Sequence, residues 1–89
     1  MARPKFETVA RVGQPSGIQS IVRRSLRAGE EKPFEVVLYK AHSLKPIRRI
    51  IRIATINHAV GIADALWTDP AGEIPTPEQA AKMAEEYNH

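Results

Sequence analysis

The run Pro33–Lys40, PFEVVLYK, narrows the folds open to this chain more than any other stretch. Phe34, Val36, Val37, Leu38 and Tyr39 form a mostly β-branched and aromatic segment suited to a pleated, buried surface. Pro33 opens the run, where a missing backbone donor costs least. The chain then turns basic, with Lys40, His42, Lys45, Arg48, Arg49 and Arg52 in quick succession. Ser43 can cap a following helix, and Pro46 falls in its first turn, where the backbone N–H has no helical partner. Pro33–Arg52 therefore reads as strand, basic turn and start of a helix. It is a platform with a basic rim.

Upstream, Phe6–Val12 has strand composition, with Phe6, Thr8, Ala10 and Val12 on one face and Glu7, Val9 and Arg11 on the other. Residues 13–17, GQPSG, break it. Ser16 then suits the N-cap of a helix to about Ala28, in which Ile18, Ile21, Val22 and Leu26 share an apolar face. Gly29 suits the position just past its end. The first half thus reads β-α-β. Downstream, Ile47, Ile50, Ile51 and Ala54 share one helical face, and Ile53, Ile56, Asn57 and Val60 an adjoining one. A strand over IRIATI is also open, but the cap signals favour helix. The pattern leaves undecided whether that helix runs on to Trp67 or yields near His58 to a strand AVGIADALWT. Residues 69–72 are a turn. Thr76, Pro77 and Gln79 then form a capping-box arrangement ahead of a helix over about 77–87, with Ala80, Met83, Ala84 and Tyr87 on a weakly apolar face.

Eighty-nine residues make one domain: a basic tail (1–5), an α/β body (6–68), and a turn with an acidic helix (69–89). There is no cysteine, hence no disulfide framework, thiol nucleophile or thiolate metal site. No window approaches about 18 uninterrupted apolar residues, so no membrane span is expected. MARPKFE lacks the apolar core of a signal peptide, and the expected location is the cytoplasm. The net charge of +3 conceals a division. Residues 1–52 hold twelve Lys/Arg against four acids, a net of +8, while residues 53–89 hold Lys82 against six acids, a net of −5. That asymmetry suits a basic face for a polyanion and an acidic segment apart from it.

Catalytic constellations are lacking. His42, His58 and His89 have no ligand spacing, and no metal or cofactor is expected. Asp64, Asp69 and Glu73 straddle a turn without the marks of an acid/base pair. Residues 13–17 match neither the P-loop nor the dinucleotide fingerprint. The cations carry the strongest signal. On a helix Arg48 and Arg52 would share a face with Arg49 beside it, and together with Lys40, His42 and Lys45 they could follow a phosphate backbone. Arg23 and Arg24, with Arg27, could extend that surface. Most of the five aromatic residues read as core, so base stacking is not expected.

The order of pieces over about residues 6–57 resembles the Alba family of small basic chromatin proteins. The points of likeness are a strand ending in Gly13, a helix from the PSG turn to Gly29, and a strand ending in Lys40-Ala41-His42-Ser43 before a second helix. Sporulation stage V protein S shares this arrangement. The resemblance implies a β-α-β-α-β-β fold, a dimer packed partly through the second helix, and backbone-directed binding of DNA or RNA. For this chain the expectation is an α/β fold, a β-α-β-α sandwich of that type with an additional C-terminal helix. The chain departs from it in three places. Gln14-Pro15 replace a lysine pair, His42 replaces an arginine, and a capped acidic helix stands where a final β-hairpin belongs. The expectation is a dimeric, non-enzymatic nucleic-acid-binding protein with Lys40, His42, Lys45, Arg48, Arg49, Arg52, Arg23 and Arg24 on the phosphates. The alternative is a protein-interaction adaptor or inhibitor using its apolar helix or its acidic C-terminal helix.

Overall fold

A computed structural model describes residues 6–14 and 16–87; the expected basic tail, Pro15 and His89 lie outside these. The chain is α/β, with four strands preceding both helices: β1 (Phe6–Gly13), β2 (Ile18–Ser25), β3 (Phe34–Lys40), β4 (Pro46–Ile53), α1 (Ile56–Thr68) and α2 (Pro77–Tyr87). The strands form one antiparallel sheet in the order β1-β2-β3-β4. Helix α1 packs on one face of the sheet, and α2 packs on α1 without touching a strand. No helix is long and apolar enough to cross a membrane among the described residues.

Two expected helices are strands. Within the expected helix at 16–28 the chain forms β2 (Ile18–Ser25), because the stiff β-branched side chains of Ile18, Ile21 and Val22 suit a pleat as well as a helical stripe. Alternation then sends Ile18, Ser20 and Val22 towards the helices, and the Ser20 hydroxyl is satisfied there by the Ala63 carbonyl at 2.9 Å. Gly13 and Ile18 bound the hairpin connection between β1 and β2. Gln14 N–H donates to the Ile18 carbonyl, and Gly17 N–H donates to the Gln14 carbonyl. Gly13 has a φ of 114°, and a Cβ there would meet the Ile18 carbonyl and the Trp67 side chain.

The expected second helix begins instead as β4. Isoleucine-rich PIRRIIRI pairs with β3, which extends the sheet to a fourth strand. The Ser43 hydroxyl accepts from Lys45 N–H in the turn rather than capping a helix. Pro46 stands at the first residue of an edge strand, the other place where a missing donor is tolerated. The pairing is irregular at both ends, and Arg52 takes a left-handed φ of 60°. The β1–β2 ladder likewise shifts between Thr8 and Ala10. That bulge splits the expected face of β1. Phe6 and Thr8 lie opposite Ser25 and Arg23, whereas Ala10 and Val12 lie opposite Val22 and Ser20 on the helix side.

The helix left undecided does form, three residues beyond β4. Thr55 caps it by accepting from His58 N–H, and Ala59, Ile62, Ala63 and Leu66 enter the core. The final helix has its expected cap: Gln79 N–H donates to the Thr76 hydroxyl, and Thr76 N–H donates to the Gln79 side chain. Helix α2 seats Ala80 and Ala84 against α1. The approach is so close at Gly61 that any Cβ would overlap the backbone of Ala80. The core thus lies between α1 and the inward side chains Val12, Val22, Val36, Leu38 and Ile53, and continues between α1 and α2 at Ala80 and Ala84.

Candidate nucleic-acid interface

Strand alternation assigns the other sheet face. Since Ser20, Val22, Val36 and Leu38 point to the helices, Ile21, Arg23, Glu35, Val37 and Tyr39 point away from them. Arg49 pairs with Val37, Thr8 with Arg23, and Arg11 with Ile21, which adds these residues to the same face. No secondary-structure element among the described residues covers it. Even so, Val37 is 0% exposed and Glu35 only 2%.

Long side chains of the face itself do the covering. Arg49 Nε donates to Glu35 Oε2 at 2.8 Å, and Arg23 Nε stands 3.4 Å from Glu35 Oε1. The second contact is an ion pair without hydrogen-bond geometry, since neither atom has a hydrogen-bond partner. Arg23 Nη2 donates to the Tyr39 hydroxyl at 3.3 Å. The Phe6 ring completes the cover, with the guanidinium carbons of Arg23 and Arg49 at 5.9 and 6.0 Å from its centroid, within cation–π range. A carboxylate isolated in this way would be costly to bury, and two guanidinium groups offset that cost. The group as a whole retains one positive charge.

The expected phosphate contacts fall into three sets. Lys40, His42 and Lys45 are exposed at the β3–β4 turn, where His42 has a left-handed φ of 62°. Arg23 and Arg49 meet on the uncovered face. Arg48, Arg24 and Arg52 are drawn off elsewhere. Arg48 Nη1 donates to the carbonyls of Pro70 and Gly72, at 3.1 and 2.6 Å, which ties β4 to the turn after α1. Arg24 pairs with Glu7 at the sheet's exposed margin. Arg52 stands at the far end of β4, beside an open groove of about 960 Å³ floored by Phe6, Phe34 and Ile51. The helical geometry that would have put Arg48 and Arg52 on one face does not occur. On a strand, Arg48 and Arg49 point to opposite faces.

Three contributors escaped the sequence reading. Phe6 and Tyr39 belong to the uncovered face rather than the core, while Phe34 and Trp67 do pack against the helix layer. Glu35 is the brace for both arginines, and an acid lodged in an otherwise apolar strand was the signal for it. Among the described residues no three His, Asp or Glu side chains gather as a metal would require. The chain matches no known protein family, no curated protein and no solved structure.

Proposed function

We propose that this protein is a non-enzymatic nucleic-acid-binding protein that uses its uncovered sheet face, chiefly through phosphate contacts with little sequence preference. One observation carries the reading: charge is divided between the two sides of the sheet. Among the described residues, strand pairing puts Arg11, Arg23 and Arg49 on the uncovered face together with Glu35, an acid that Arg23 and Arg49 brace. The helical half beyond Ile53 has six acids against Lys82. A polyanion is attracted to the first surface and repelled by the second, which fixes the orientation of approach. Lys40 and Lys45, exposed at one end of the sheet, lengthen the basic track. The Alba resemblance supplied the expectation of backbone-directed binding. Since four strands precede both helices here, the charge of the face supports the reading instead. A dimeric state and a nucleoid-associated role in the cytoplasm go with this proposal.

The test is a titration of labelled oligonucleotides across a salt series. Four to six phosphate contacts give a slope of log K against log salt of roughly −3 to −5. Replacing both Arg23 and Arg49 by Ala should take two cations off the phosphates and flatten that slope by about 1.5. Binding that ignores salt would rule the proposal out.

A second reading, a protein-interaction adaptor, draws on the apolar side chains at the margin of the same face. Leu44 is 97% exposed, and Ile47 and Ile51 are about half exposed. Helix α2, with Glu78, Glu85 and Glu86 exposed, offers the adaptor a second surface. Retention of a protein partner by the double arginine variant, together with loss on removing residues 70–89, would favour it.

A further inference from the structure

We infer that the ligand of the uncovered face is a single strand rather than a duplex, and that Glu35 is the positioning residue that aims Arg23 and Arg49 at it. This rests on the nucleic-acid reading above. Four strands make three spacings of about 4.8 Å, so the face is roughly 14 Å wide before its side chains are counted. A major groove about 12 Å wide admits a helix or a two-stranded ribbon, not a sheet of this breadth. No helix or protruding loop carries the arginines of the face; they lie within the sheet itself. A duplex can meet such a face with its phosphates alone, whereas an unpaired strand brings its bases to it as well.

The chemistry of the face suits unpaired bases. Phe6, Arg23 and Tyr39 follow one another, with Arg49 beyond the ring. Half-buried aromatic rings and guanidinium planes are surfaces on which bases stack irrespective of sequence. Glu35 engages both arginines at Nε, the inner edge of each guanidinium. Arg49 is still 52% exposed, so its outer edge faces the solvent from which a phosphate would approach. The apolar margin could in principle meet a second copy face to face. That arrangement would oppose two sets of Arg11, Arg23 and Arg49, and like charges make it unfavourable. A polyanion relieves the same charge. Lone bases alternating with phosphates fit both halves of this surface.

Charge and positioning make opposite forecasts for Glu35→Gln, which is what allows the role to be tested. The substitution removes a negative charge from the face. If charge alone mattered, binding would tighten and its salt dependence would steepen. If Glu35 positions the arginines, binding weakens about fivefold, and the salt slope flattens by about 0.7 for each single-strand phosphate that an arginine no longer reaches.

The experiment is fluorescence anisotropy with labelled oligothymidine and oligouridine of about 16 nucleotides, and a mixed-sequence duplex of the same length, at about 50 and 200 mM salt. Wild-type protein should bind at least one single strand about tenfold more tightly than the duplex, and Tyr39→Ala should weaken that binding about tenfold by removing a stacking surface. The two single strands show whether the sugar matters. Equal or tighter binding of duplex overturns the inference and leaves the broader proposal standing. Binding of none of the three at the lower salt overturns both. Circular dichroism melts accompany each variant; should Glu35→Gln be unfolded at the assay temperature, Glu35→Asp, which keeps the charge and shortens the reach, replaces it, weakened binding supporting the positioning role and unchanged binding overturning it.

Discussion

Val36 and Val37 are adjacent in β3 and both are 0% exposed, yet they are buried by different means. Val36 faces α1, which is itself backed by α2 at a spacing fixed by Gly61, so that backbone-supported elements close this side. Val37 faces away, beneath a cover of arginine, tyrosine and phenylalanine side chains that have their own freedom to move. A rigid layer resists collapse into a gap, whereas flexible side chains can follow a shrinking neighbour. The same sheet thus has one face built to hold shape and one able to rearrange. On that second face Glu35 holds Arg23 and Arg49 by their inner edges and leaves the rest of the cover to adjust around a ligand.

The largest expected effect tests the rigid side. Gly61→Ala forces α1 from α2 and should cost about 3 kcal/mol by denaturant titration, the upper range for overpacking. A cost under about 1 kcal/mol would mean that the helix layer yields as readily as the other face. The two valines give the direct comparison. Val36→Ala should cost about 2.5 kcal/mol and Val37→Ala about 1 kcal/mol, because the cavity term survives only where the surroundings cannot relax. Equal costs would break the distinction. The smallest effect belongs to the margin, where Arg24 and Glu7 are both well exposed. Arg24→Ala should change stability by about 0.5 kcal/mol or less.

The strands β1 and β3, the turn at 69–72 and the capping box of α2 were legible in the sequence because each rests on local chemistry. Thr76 and Gln79 lie three residues apart, and their reciprocal hydrogen bonds need nothing from the rest of the chain. The misread segments were those whose pattern fits two periods. Ile18, Ile21 and Val22 satisfy a helical stripe, and Ile18, Ser20 and Val22 satisfy a strand. What decides between them is pairing with β1 and β3 and the acceptor that Ala63 offers to Ser20. In the same way, Ser43 and Pro46 are equally at home at a helix start and at a turn opening an edge strand. The candidate site was half visible for the same reason. Its arginines stood out by charge, but once 46–53 is a strand Arg48 leaves the site and Phe6 and Tyr39 join it. Glu35 has meaning only when β2, β3 and β4 are side by side.

The irregular ladders at the two ends of the sheet have a consequence for its neighbours. An open sheet ordinarily offers two rows of unpaired N–H and C=O groups along which further strands can add. Here the row on β1 is interrupted by the bulge between Thr8 and Ala10, and the row on β4 begins with a proline and is bent at Arg52. Strand-by-strand extension is therefore blocked on both flanks. Copies that meet in a crowded solution cannot be stitched into a continuous ribbon through their backbones.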